Sequence, residues 1–596
     1  MKSKGILIAN RGEISIRIAR AAAELGIRSV AIYSEDDKAS LHTKMADDAI
    51  LVPGFGAKAY LDISAIILAA KEMGCDALHP GYGFLSERAD FAEHCEASGI
   101  TFIGPSIDHL KLFGDKGKAR SAAIAANVPV LKGIDRGVTL SEAEKFFDSV
   151  DGAIIIKAVA GGGGRGTRIV EDRDTLESAF IRCQSEAEAS FGVGDLYVEE
   201  FLARARHVEV QIIGDKAGNV VHLGERECSA QRRNQKVVEI APAPNFPTAL
   251  RDKILKSAVT FAQQQSYKSL GTFEFLVDGN EPDSQFVFIE ANARLQVEHT
   301  VTEEVTGVDL VSSQIQVALG RSLSEIGLDA ADISVARGYA IQARLNLETI
   351  KVDGSVMPSS GKLTAYDVPN GPGVRTDGFG YVGYETSTAF DSLLSKVIVH
   401  SKSRNFKEAA TKAVRALSEF RLEGVRSNLS FLKNILSHDD FIKGNIHTRW
   451  VDANLASLVI DWQGPDLFVD DSATTTHQQG FAGAKIDSTD PLALFNQIPQ
   501  GSLTSATSST SIDIPDGLMP LTSPIQGTIV AIEVGSGESV RAGEPVVIVE
   551  AMKMEHVISA DFDGVVVEII MQPGDVVKEG FPILFMQEGE VAAGEK

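Results

Sequence analysis

The stretch FEFLVDGNEPDSQFVFIEANARLQVEH, residues 273–299, is two apolar runs joined by the turn-prone DGNEPDS. Runs of Phe, Val, Ile and Leu bounded by Gly, Asn, Asp and Pro read as paired strands. Glu274 and Glu290 are equidistant from Pro282, so a hairpin sets the two carboxylates opposite each other among apolar neighbours. Like charges at facing positions repel. A hard cation removes that penalty, and with Asn292 as a third oxygen donor the set suits Mg²⁺ (or Mn²⁺) bridging phosphates. Two solvent-facing glutamates on alternating strands are the plain alternative. Downstream, ARLQVEH puts Arg294, Gln296 and Glu298 on one face of an extended segment by period-two alternation. An arginine able to clamp a small oxyanion beside a carboxylate able to take a proton is an acid/base constellation.

Upstream of the hairpin, CSAQRRNQKVVE gathers Arg232, Arg233 and Lys236. The chain carries 57 basic and 81 acidic residues, a net charge of -24. That balance argues against nucleic acid or an anionic membrane as partner, so an anionic substrate needs such a local cluster; a solvated basic strand is the alternative. Further upstream, AIIIKAVAGGGGRG is a strand ending near Lys157 and followed by glycines 161–164 and 166. Closely spaced glycines let backbone N–H groups wrap phosphates. The run lacks the GK[ST] ending of a P-loop and the strand–GxGxxG–helix dinucleotide unit, leaving a glycine lid over a nucleotide.

The N-terminal text is of a third kind. GILIAN is a short apolar strand, and EISIRIARAAAELGI behind it places Ile14, Ile18, Ala22 and Leu25 on one helical stripe. SVAIYSE, CDALHPGYG and ITFIGP continue the alternation, which predicts a mostly parallel α/β sheet. With 596 residues the chain needs several domains. The expected order is a 1–125 α/β domain, a 126–203 inserted α/β lid, and a 204–451 part rich in antiparallel pairs. A Ser/Thr-rich linker or reduced docking region follows at 452–516, and an all-β domain at 517–590. Were the linker fully flexible, its span would be about 45 Å. Four scattered cysteines point to free thiols. The absence of a leader or long apolar run makes the cytoplasm the expected location.

The final section repeats itself. PIQGTIVAIEVGSGESVRAGEPVVIV aligns with DFDGVVVEIIMQPGDVVKEGFPILFM, matching Gly527 with Gly564, Gly537 with Gly574, Gly543 with Gly580 and Pro545 with Pro582. Two such halves imply a pseudo-two-fold sandwich or flattened barrel. Lys553, in EAMKMEH, falls at the join between halves, which predicts an exposed hairpin tip.

EAMKMEH closely resembles the attachment signal of biotin carboxyl carrier domains; lipoyl domains share the fold but usually place their lysine between acidic and small residues. ANRGEI, HPGYGFLSE, FGDK, IIIKAVAGGGGRG, RHVEVQ, CSAQRRNQK, GTFEF and EANARLQVEH resemble, in order and spacing, the biotin carboxylases of the ATP-grasp fold. The likeness covers about residues 1–450 and the carrier about 518–588. As a whole the chain resembles the α subunit of a biotin-dependent acyl-CoA carboxylase.

The resemblance implies an ATP-dependent ligase that carboxylates biotin carried on Lys553. It makes Lys116, Lys157, Gly162, Gly163, Gly164 and Gly166 phosphate contacts. Glu199 and Leu202 meet the adenine, and His207 and Gln231 line the nucleotide. Glu274, Glu290 and Asn292 become the metal ligands. Lys236, Arg294, Gln296 and Val297 form a bicarbonate pocket, Glu298 is the general base, and Arg344 steadies the biotin enolate. Asn234 stands where many relatives have histidine, Ile240 replaces a second glutamate, and DGNEPDSQ lengthens the metal hairpin. Implied partners are a carboxyltransferase β subunit in a hetero-oligomer and a biotin protein ligase. A portion of a pyruvate, urea or single-chain carboxylase is the alternative, and a catalytically silent carrier or assembly module is the reading from another class.

Overall fold

The computed structural model describes residues 3–134, 137–150, 152–159, 167–191, 193–329, 336–468, 518–551 and 554–589. They belong to two compact units, Met1–Asp466 and Leu467–Lys596. Within the described residues no helix is long and apolar enough to cross a membrane.

The first unit opens on a five-stranded parallel sheet in the order Asp48–Leu51, Ser29–Tyr33, Ile6–Ile8, Ala77–His79, Thr101–Phe102. Its central strand, ILI, is fully buried, as a strand covered on both faces must be. The helix Gly12–Glu24 follows and buries Ile14, Ile18 and Ala22, with Leu25 packed against the same core.

A four-stranded sheet comes next, ordered Gly133–Ile134, Leu196–Phe201, Ala153–Ala158, Thr167–Val170. An α/β insert is expected, but this sheet is antiparallel throughout. The strands flanking the glycine run pair antiparallel with each other. Helices Leu140–Ser149 and Leu176–Phe191 complete the insert. Gly162, Gly163, Gly164 and Gly166 lie outside the described residues.

The largest sheet has eight antiparallel strands: Gln285–Asn292, Ser269–Asp278, Arg206–Gly214, Val220–Arg232, Gln235–Ala241, Tyr339–Asn346, Leu393–Ser401 and Val374–Gly378. Phe261, Phe273, Phe275 and Phe288 pack edge to face beneath its first strands. Helices Phe406–Glu419 and Leu429–Ser437 bury their apolar faces against its other end.

In the second unit the repeat is visible as topology. One sheet runs Met519–Thr522, Pro582–Glu588, Gly564–Ile569, Ser539–Val540; the other runs Met554–Ser559, Pro545–Ala551, Gly527–Ile532, Val576–Val577. Each sheet draws strands from both halves, and an offset of 37 residues turns one order into the other. The matched glycines have matched reasons. A Cβ on Gly527 would meet the Glu550 carbonyl oxygen at 2.5 Å, and one on Gly564 would meet that of Gln587 at 2.5 Å. The strands either side of Lys553 pair up to Ala551 opposite Met554; Lys553 itself falls outside the described residues.

Candidate active site

Four side chains line up across adjacent strands of the large sheet: Arg226 opposite Glu209, Glu209 opposite Glu274, and Glu274 opposite Glu290. Paired residues project from the same face, so three carboxylates stand side by side. The Glu274–Glu290 pairing depends on a β-bulge, for Phe275 lies opposite Phe288 and a regular ladder would then set Glu274 against Ile289. The extra residue shifts Glu290 into the row.

The row is neutralised from both sides. Arg226, fully buried, bonds Glu209 and donates to Gln296 Oε1 (3.0 Å) and Thr302 Oγ1 (3.0 Å). Lys236 reaches over the row, with Nζ 2.7 Å from Glu209, 3.2 Å from Glu274 and 2.6 Å from Glu298. Glu298 also accepts from Arg344 at 3.0 Å, and Arg344 pairs with buried Glu239. Burial would raise the Glu298 carboxyl, but Lys236, Arg344 and Arg226 outweigh it and hold Glu298 below the usual carboxylate range. Glu274 follows the same balance: burial opposes, and Lys236 and His207 prevail. Lys236 itself is pushed above the usual lysine value, its three carboxylates overcoming burial.

The cation ligands can be tested on geometry. Asn292 Nδ2 donates to Glu274 Oε1 (2.7 Å) and Glu290 Oε1 (3.3 Å), so both oxygens converge on one point. Turning the Asn292 amide over, which would break its bond from Arg294, would add its oxygen to the set. Carboxylate and amide oxygens converging in this way fit a hard divalent cation.

Arg294 donates to Asn292 Oδ1 (2.9 Å) and lies 3.0 Å from Glu87 Oε2. Gln296 donates to Glu274 Oε1 at 2.7 Å. Residues 293–298 are not the extended segment that alternation suggests: the strand ends at Asn292, and Glu298 is the N-cap residue of helix His299–Thr306. Gln296 and Glu298 reach one centre because the chain turns: Glu298 bonds Lys236, and Gln296 bonds Glu274, which Lys236 also meets.

His207 Nε2 lies 2.6 Å from Glu274 Oε2, and Gln231 Nε2 approaches His207 Nδ1 at 2.6 Å. Lys157 Nζ bonds Glu199 at 2.6 Å in the insert, and Leu202 follows that strand, half-buried. Lys116, at the start of helix Lys116–Ala125, lies 3.8 Å from Glu290. Val297 offers its carbonyl oxygen to Lys396 (3.1 Å). Asn234 is exposed in a two-residue turn in which Arg233 and Asn234 both have positive φ (45° and 63°). Asparagine tolerates that conformation, which accounts for the residue without a ligand. Arg226, Glu209, Glu239 and Glu87 escape the sequence reading. The signal for Glu209 is RHVEVQ, whose alternation sets His207, Glu209 and Gln211 on one face of a wholly buried strand.

The chain is similar to known proteins. Family models match in series: biotin carboxylase N-terminal domain over residues 2–110, the ATP-binding domain of the carbamoyl-phosphate synthase L chain over 115–326, biotin carboxylase C-terminal domain over 342–453, and biotin-requiring enzyme over 519–586. Human mitochondrial pyruvate carboxylase is 49% identical over 76% of this chain, which spans 38% of that enzyme's length. The biotin carboxylase domain of Hydrogenobacter thermophilus 2-oxoglutarate carboxylase, solved with MgADP, ADP and bicarbonate, is 40% identical (TM-score 0.72). The match covers 77% of this chain and 99% of that one. A single-chain long-chain acyl-CoA carboxylase is 37% identical over 99% of this chain and 51% of its own (TM-score 0.67). The chain belongs to the biotin-dependent carboxylases, as a biotin carboxylase of the ATP-grasp fold followed by a biotinyl domain.

Proposed function

We propose that the chain uses ATP and bicarbonate to carboxylate a biotin carried on its own Lys553. The observation that carries the reading is the meeting of three roles at Lys236 Nζ: the metal carboxylate Glu274, the base Glu298 and the buried Glu209. The cofactors are biotin, ATP and Mg²⁺, the metal spreading phosphate charge and biotin supplying a ureido nitrogen that carries the carboxyl group.

Bicarbonate binds between Lys236 and Arg294. As Lys236 turns towards the anion, Glu298 loses its nearest counter-charge and becomes a stronger base. It removes the bicarbonate proton, and the dianion attacks the γ-phosphate, whose developing charge meets Lys116 and Lys157. Carboxyphosphate and ADP result; carboxyphosphate breaks down to CO₂ and phosphate, and that phosphate would take the proton the ureido nitrogen gives up. Arg344, held by Glu239, waits beside Glu298 to bind the oxygen on which charge develops as carboxyl is transferred.

The acceptor is chosen by a carboxyltransferase, as a separate subunit or a further domain. The 49% identity to pyruvate carboxylase supports a 2-oxo acid ahead of the acyl-CoA that the motifs alone suggest. Acyl-CoA is the second reading, supported by the acyl-CoA carboxylase likeness over 99% of this chain. A biotin protein ligase is the partner that loads Lys553.

With labelled bicarbonate and ATP, the biotinylated chain should become labelled. Lys553→Ala should lose that label yet still carboxylate free biotin, and Glu298→Gln should lose bicarbonate-dependent ATP cleavage. Label retained in Lys553→Ala, or ATP cleavage retained in Glu298→Gln, overturns the assignment.

A further inference from the structure

Two motifs play no part in the chemistry above: ANRGEI at residues 9–14 and HPGYG at residues 79–83. The structure folds them onto one another. Asn10 Nδ2 donates to the carbonyls of Pro80 (2.7 Å) and Tyr82 (2.8 Å). Gly81 between them has a φ of 64°, and a Cβ there would meet Asn10 Nδ2 at 2.8 Å. This lock brings the Tyr82 hydroxyl to Glu13, to which it donates. Glu13 in turn lies 3.0 Å from Nζ of Lys396, a fully buried lysine. Lys396 also donates to the Val297 carbonyl, 3.1 Å away.

That last bond matters because residues 293–298 belong to no strand or helix. Backbone carbonyls buried without a regular ladder need donors from elsewhere. Buried side chains supply them: His299 Nδ1 meets the Gln296 carbonyl at 2.8 Å, and Lys396 holds that of Val297. Lys396 also stands opposite Arg344 in register, so the lysine and that arginine leave the same sheet face.

We infer that Lys396, with Glu13 as counter-charge and Tyr82 as support, is a positioning residue that fixes the backbone carrying Arg294, Gln296 and Glu298. The two N-terminal motifs therefore bear on the reaction through a buried ion pair. The inference rests on the reaction proposed above.

Removing one partner of a buried ion pair strands the other's charge, so the informative variant is the double replacement Glu13→Gln with Lys396→Met in the full chain. It should unfold cooperatively, keep its KM for ATP within about twofold, and lose about 100-fold in kcat/KM for bicarbonate, the scale of a misplaced catalytic segment. Amide hydrogen exchange across residues 293–300 should quicken. Tyr82→Phe removes one hydroxyl and should show the same pattern at about tenfold, the scale of one charge-assisted hydrogen bond. Wild-type bicarbonate efficiency and wild-type exchange in the double variant would overturn the inference; should that variant not fold, unchanged values in Tyr82→Phe would do so. A wild-type chain without bicarbonate-dependent ATP cleavage would instead sink the functional reading, and the exchange arm would still decide the role of Lys396.

Discussion

At Lys236 a single ammonium group faces Glu209, Glu274 and Glu298, all but buried. Replacing it with methionine leaves three carboxylates without their shared cation, so Lys236→Met should cost about 3–5 kcal/mol in urea unfolding. Exposed Lys116, whose nearest carboxylate is 3.8 Å away, should cost less than about 1 kcal/mol when replaced in the same way. His79 sets a pH dependence. Its Nδ1 accepts from the Gly81 amide (3.0 Å), and burial pushes the imidazole down to about 3. The unfolded chain takes up this proton below about pH 6.5 while the folded chain does not, so stability falls with pH across that window, by about 1.4 kcal/mol per unit from this group. His79→Gln should flatten the acid limb of a urea-midpoint series between pH 7 and 4. Charges embedded in apolar text made Glu274, Glu290 and Glu298 legible in the sequence. Glu239 and Arg226 were not, because only the tertiary pairing gives a buried charge its partner.

The hairpin carrying Glu274 and Glu290 is right in its pairing for a reason its sequence does not display. Symmetry about Pro282 sets Glu274 against Glu290, yet the ladder reaches that register through a bulge. Period-two reasoning fails at residues 293–298 because side chains, rather than a neighbouring strand, satisfy the backbone there. The carrier glycines were legible as a repeat, and their necessity is steric. Gly527→Ala and Gly564→Ala each drive a Cβ against a carbonyl oxygen and should cost similar amounts, about 1–3 kcal/mol each, read from the carrier's thermal transition. Unequal costs would mean that the halves are not structurally equivalent there.

Over the whole molecule, each unit has its own core, and the residues read as nucleotide contacts all fall in Met1–Asp466. MgADP at about 100 times its Kd should therefore stabilise that unit by about 2.7 kcal/mol and leave the carrier transition in place in calorimetry. A shift of both transitions would mean that the nucleotide is felt in both. The order of the motifs was legible in the sequence; the glycine run and Lys553 lie outside the described residues.

The repeat in the carrier also sets its two ends apart. Ala551 ends its strand at the lysine hairpin, and its image 37 residues on, Glu588, ends the last strand of the unit. A two-fold rotation exchanges the poles of the barrel, so Ala551 and Met554 stand at one pole and Met519 and Glu588, where the chain enters and leaves, at the other. Strands of seven residues span about 23 Å, so the two poles stand about that far apart.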